Sequence, residues 1–117
     1  MGTEVSFVVE AAVKPGRLDA LEALMGELVE STTGEPGALT YAWSLDEGGT
    51  VLHLHERYVD SAAAVAHLAT FVSGYAQRYF DAVDPMRFVV YGGDDAVAEA
   101  LAAAQTTPMG PLVGLMR

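Results

Sequence analysis

Residues 38–59 constrain the fold most: two stretches of alternating residues face each other across Asp46-Glu47-Gly48-Gly49. Ala38–Leu45 puts Leu39, Tyr41, Trp43 and Leu45 on one side and the small residues Ala38, Thr40, Ala42 and Ser44 on the other. Thr50–Val59 puts Leu52, Leu54, Glu56 and Tyr58 on one side and Val51, His53, His55 and Arg57 on the other. A period of two marks strands. The glycines supply the positive φ that a tight reversal needs, so the pair is read as a hairpin. Each strand therefore has one face suited to a core and one that must be covered or solvated.

The flanking segments extend this reading. Glu4–Val13 alternates as well, with Val5, Phe7, Val9, Ala11 and Val13 on one face. Lys14-Pro15-Gly16 stops it, and Pro15 is suited to open the next helix. From Arg17 to Thr32, Leu18, Leu21, Leu24, Met25, Leu28 and Val29 recur at helical spacing. Thr33–Gly37 ends that helix with two glycines and a proline. After the hairpin, Asp60 or Ser61 caps a helix expected to bury Val65, Leu68 and Val72. Gly74 marks a bend or restart before Tyr75, Tyr79 and Phe80. Asp84-Pro85 ends the helical run, and Met86–Tyr91 reads as a fourth strand. Asp94 or Asp95 then caps an alanine-rich helix to about Ala104. The tail from Gln105 carries two prolines and two glycines. It reads as an extended arm placing Leu112, Val113, Leu115 and Met116 against this or another subunit.

The order is β-α-β-β-α-β in a single domain spanning residues 1–117, with a core at 4–91 and an appended helix and arm at 92–117. That is the split βαβ, ferredoxin-like arrangement, an α+β class: one antiparallel sheet with helices on one face. The bare face, small on the second strand and mixed on the third, suits sheet-on-sheet packing in a homodimer.

Composition removes several function classes. The formal charge is −10, from 16 acidic and 6 basic residues. Such a chain repels phosphate backbones and anionic membranes, so neither nucleic acid nor membrane is an expected partner. No apolar run approaches a membrane span. The chain lacks cysteine, which excludes disulfides and thiolate metal sites and fits a reducing cytoplasm. The amino terminus does not read as a signal peptide. Phosphate loops, nucleophile elbows and metal-hydrolase motifs are also missing from the sequence.

Four motifs bring a known family into view: VKPG at Val13–Gly16, EPGALTY at Glu35–Tyr41, HERYVD at His55–Asp60 and AVAHL around His67. In this order and spacing the chain resembles the antibiotic biosynthesis monooxygenases, a branch of the dimeric α/β-barrel proteins. The resemblance implies a homodimeric barrel and a small-molecule ligand. It also implies oxygenation of a phenol or quinol with O₂ as co-substrate and without a bound cofactor. The family also holds haem-degrading enzymes and a sugar-phosphate isomerase, so it predicts a fold better than a reaction. Haem-degrading members use an asparagine on the first strand with tryptophan and histidine on helices. The best-known cofactor-free oxygenases also rely on an asparagine and a tryptophan. This chain has no asparagine, and its one tryptophan, Trp43, lies in the second strand. Haem is therefore not an expected cofactor.

Alternation assigns the candidate site. Tyr41, Trp43, Glu56 and Tyr58 share the helix side of the sheet, His67 looks toward the same space, and Tyr75 and Tyr79 are placed to close it. Aromatic walls and phenols would bind a flat substrate. Glu56 or His67 would serve as the base that removes its proton. The structural alternative for Glu56 is a carboxylate accepting bonds from a nearby N–H, Arg57 or Tyr58. For His67 it is a satisfied imidazole at the helix edge, and for Tyr41, Trp43 and Tyr58 ordinary core packing. His53 and His55 share the other face, as a metal pair would, but Arg57 stands beside them and no third ligand does. With Arg57 they are read as polar residues of the dimer face, bonding with partners such as Thr40 and Ser44. Two further functions remain open for such a pocket: a non-catalytic ligand-binding module, and an isomerase or cyclase using the same acid and base.

Overall fold

A computed structural model describes residues 3–112 and 114–115. The strands are β1 (Val5–Val13), β2 (Ala38–Leu45), β3 (Val51–Tyr58), β4 (Val83–Tyr91) and β5 (Thr107–Met109). The helices are α1 (Leu18–Thr33), α2 (Ser61–Gly74), α3 (Ala76–Ala82) and α4 (Asp95–Ala100). The sheet order is β2-β3-β1-β4-β5. The first four strands pair antiparallel and β5 adds parallel to β4. This is the ferredoxin-like order with helices on one face. The sheet does not close on itself within one chain.

Alternation predicts the inward face of the central strands. Val5, Phe7, Val9 and Ala11 of β1 and Leu52, Leu54, Glu56 and Tyr58 of β3 are all buried. All but Glu56 divide between two apolar clusters. One packs with Leu21, Leu24 and Leu28 of α1 and Tyr79 of α3. The other packs with Ala64 of α2 and Val97 and Leu101 at α4.

Local chemistry shapes the turns. Pro15 lies outside α1: it and Gly16 form a reversal closed by the Arg17 amide on the Lys14 carbonyl at 3.1 Å. Gly16 adopts φ 77°, the geometry of a type II turn, in which proline leads and glycine follows. In the hairpin, Asp46 accepts from the Thr50 amide and hydroxyl and the Val51 amide at 2.7, 2.6 and 3.0 Å. Asp60 is the α2 cap and accepts from the Ala63 amide at 2.8 Å.

Four elements depart from the pattern. Pairing jumps from Ala38↔Tyr58 to Thr40↔Arg57, so Leu39 is the extra residue of a bulge and is 48% exposed. Ala38 takes an inward position instead. Helix α2 is rotated by about one residue from expectation. It buries Ala64 and His67, leaves Val65 and Leu68 half-buried, and exposes 67% of Val72. Small side chains face in because α2 lies against the backbone at Gly37. On α1 the buried stripe continues from Leu28 to Thr32, and Val29 falls beside it. β4 begins three residues before Met86 and contains Pro85, which sits at a register shift where Met86 goes unpaired. Proline is tolerated there because β5 pairs only with Val89–Tyr91 and leaves this stretch an edge.

The carboxy-terminal helix is also shorter than predicted. α4 ends at Ala100. The tail is extended and its Thr107–Met109 enters the sheet as β5, a strand that periodicity does not announce. Leu112 is half-buried and Leu115 lies exposed, while Val113 and Met116 fall outside the described residues.

Candidate active site

Inward-facing positions of β2 and β3 place Tyr41, Trp43, Glu56 and Tyr58 under the helices, and Tyr41 pairs directly with Glu56. The buried stripe of α2 then sets His67 above them. The centre is a chain of hydrogen-bonding groups. The Tyr58 hydroxyl donates to Glu56 Oε1 at 2.5 Å. His67 Nε2 lies 3.4 Å from the same oxygen. His67 Nδ1 lies 3.0 and 3.2 Å from the two oxygens of Glu35. The imidazole side chain is 5% exposed and the Glu56 side chain 6%, whereas Glu35 keeps 24%.

Aromatic rings surround the chain. Tyr41 and Tyr58 lie 5.2 and 5.1 Å from the His67 ring. Trp43 meets Tyr41 at 6.0 Å and Tyr79 at 6.2 Å, both near edge-to-face. Phe71 of α2 completes this wall against Tyr79 at 5.6 Å. Tyr75, expected to close the space, is half-buried against the same core and makes no hydrogen bond to Glu56 or His67. Trp43 Nε1 and Thr32 Oγ1 are buried without a hydrogen-bond partner. Both stand beside the Tyr41 hydroxyl.

Burial sets the protonation states. It pushes the Glu56 carboxyl up to about 7, against the pull of the Tyr58 hydrogen bond and with the help of the Glu35 charge. Burial also lowers the basicity of His67, while Glu35 raises it. The hydroxyls of Tyr41, Tyr58 and Tyr79 are raised, first by burial and then by the charge of Glu56, and stay protonated. At neutral pH the site thus holds a carboxyl that can give or take a proton beside an uncharged imidazole. Tyr58→Phe removes the hydrogen bond that favours the ionised carboxyl. It should raise the Glu56 midpoint above the wild-type value, read from the carboxyl infrared band across pH.

The opposite face carries the other expected set. His53 Nε2 pairs with Glu10 at 2.8 Å. Arg57 meets Glu4 at 2.6 and 3.1 Å and Thr40 at 3.3 Å. Arg57 therefore does not reach Glu56. The rings of His53 and His55 are 6.5 Å apart. Among the described residues, no group of three His, Cys, Asp or Glu side chains could hold a metal ion. A shallow depression of about 290 Å³ on this side is lined by Ser44, Asp46, His53 and His55 among others. Among the described residues, no helix is long and apolar enough to cross a membrane.

Sequence reasoning groups Tyr41, Trp43, Glu56, Tyr58, His67 and Tyr79, and the structure sets these side chains next to one another. It misses Glu35, Thr32 and Phe71. Glu35 stands in a turn where proline and glycine dominate the reading, and no periodic pattern links it to a histidine 32 positions away. The one available clue is that a buried histidine needs a partner.

The comparisons bear on family and fold. Residues 5–82 match the antibiotic biosynthesis monooxygenase family. No curated protein matches the sequence. Among solved structures, MupZ from Pseudomonas fluorescens is 23% identical with a TM-score of 0.86, over 100% of this chain and 91% of that one. A conserved protein from Methanosarcina mazei Go1 is 18% identical with a TM-score of 0.68, over 80% and 95%. An antibiotic biosynthesis monooxygenase is 25% identical with a TM-score of 0.63, over 74% and 92%. The MupZ and Methanosarcina likenesses are of fold alone. With two thirds of its length matched to the family and the fold to go with it, the chain belongs to the antibiotic biosynthesis monooxygenase family.

Proposed function

We propose that the protein is a cofactor-free monooxygenase of a small phenolic or quinol substrate, with Glu56 as its base. The observation that carries this reading is a buried carboxyl poised near neutrality between Tyr58 and His67. In such a reaction the ionised carboxylate takes the phenol proton. The phenolate then supplies the electrons to O₂, and a carbon–oxygen bond forms. Loss of water from the resulting peroxide leaves the quinone, so one phenol and one O₂ give one quinone and one H₂O without an outside reductant. Tyr41, Trp43 and Tyr79 supply the aromatic surface.

Oxygen uptake with a panel of hydroquinones and polyphenols tests the reading. Uptake should be lost in Glu56→Gln and His67→Ala with the circular dichroism unchanged. Silence across the whole panel overturns it. A second reading, isomerisation or cyclisation, is supported by the Tyr58 hydroxyl and His67 Nε2 meeting at Glu56 Oε1, at 2.5 and 3.4 Å. Turnover that persists without O₂ would favour it. Thermal stabilisation by a ligand without any turnover would leave a binding module.

The protein acts as a homodimer in this reading, joined through the sheet face opposite the helices. Among the described residues that face carries no helix, and it exposes Ala42, Ser44, His53 and His55. Sedimentation should give twice the 12.3 kDa chain mass. A monomer at micromolar concentration would count against the pairing.

A further inference from the structure

Among the groups around His67, Glu35 has a role that the proposed function does not use. We infer that Glu35 is a positioning residue that fixes the tautomer of His67 and supports the imidazolium formed when Glu56 passes its proton to the ring. The inference rests on the acid–base reading above. A carboxylate is an acceptor only, and both Glu35 oxygens lie within 3.2 Å of Nδ1. While Glu56 is protonated, Nδ1 must therefore carry the ring proton, which leaves the Nε2 lone pair toward Glu56 Oε1. A protonated Glu56 can then donate to Nε2.

The step balances simply. The O–H bond of Glu56 breaks, an N–H bond forms at Nε2, and the product is a carboxylate–imidazolium–carboxylate row. The cationic ring is flanked by opposite charges on both nitrogens. Without Glu35 it would be a buried cation with one partner and would cost more to form. The other titratable groups facing the ring are the Tyr41 and Tyr58 phenols, both held neutral by burial. They neither compete for Nδ1 nor supply charge. Three separate elements bring the row together: the α1–β2 turn, β3 and α2.

The experiment is ¹⁵N NMR of the histidine side chains in the intact protein at pH 6.5, below the Glu56 midpoint of about 7. The wild-type His67 signals should show a protonated Nδ1 and a bare Nε2. Glu35→Ala should lose this preference, and turnover should fall about 10²-fold through kcat rather than KM. Glu35→Gln keeps an amide oxygen on Nδ1. It should retain the tautomer but not the charge, so its activity limb on the acid side moves while the NMR pattern stays. A wild-type Nε2–H tautomer overturns the inference even if no variant folds, and so does an unchanged pattern in Glu35→Ala. Neither readout needs an oxygenase substrate. A correct tautomer in a protein without turnover would sink the proposed reaction and leave this role of Glu35 standing.

Discussion

Glu56→Gln is expected to cut oxygen uptake by about 10²- to 10⁴-fold, the usual worth of a positioned base, while making the protein more stable above pH 7. Both effects come from one property. The folded state holds the Glu56 proton more tightly than the unfolded chain, with a midpoint of about 7 against 4.5. Between those values the native protein binds more protons than the unfolded one, so stability falls as pH rises. The loss is complete above about 7 and amounts to about 3 kcal/mol. Glutamine resembles the neutral acid and still accepts from Tyr58, so the variant avoids this loss. Its melting temperature at pH 8 should exceed wild type by on the order of 10 °C. The two proteins should converge near pH 4.5. His67 runs the other way: its lowered basicity means stability is lost as pH falls below the ordinary histidine range. The glutamine variant should retain that trend. A variant no more stable than wild type at pH 8 would mean that Glu56 is not held near neutrality.

Gly37→Ala should be nearly as damaging to activity, from a position outside the Glu35–His67–Glu56 row. A methyl there would sit 2.4 Å from Ala63 Cβ and 3.2 Å from Val59 Cγ1. The Ala63 side is part of α2, so relief requires the helix to move away from the sheet. Overpacking of this kind costs about 1–3 kcal/mol. The same shift lifts His67 off Glu35 and Glu56, and a misplacement of about 1 Å in a catalytic group costs about 10²-fold in rate. Thermal melts and turnover of Gly37→Ala measure the two effects. Gly37→Ala with Ala63→Gly should recover both, because the space for the added methyl is restored. If the double variant stays as impaired as the single one, helix approach at Gly37 does not set the site.

The strands and their faces were legible because a strand declares itself through neighbours two apart. Leu52, Leu54, Glu56 and Tyr58 could be placed on one side with no knowledge of the fold, and the structure buries all four. Leu39 broke the rule because a bulge shifts the phase of one strand against its partner. On α2 the apolar pattern of Val65, Leu68 and Val72 misled. The helix meets the sheet at Gly37, where close approach favours Ala63 and Ala64 over larger side chains. β5 could not be foreseen, since its three residues gain their order from the edge of β4.

By itself, then, the sequence determined the β-α-β-β-α-β order, the hairpin and its turn, and the partition of polar residues between two faces of the sheet. These follow from interactions within a few residues. Only the tertiary structure decided which way α2 is turned, and through it that His67 lies between Glu35 and Glu56. Thirty-two residues separate Glu35 from His67 along the chain, and local periodicity carries no information over that span. The contact depends on helix phase and on the distance of approach at a single glycine, and both are settled by packing.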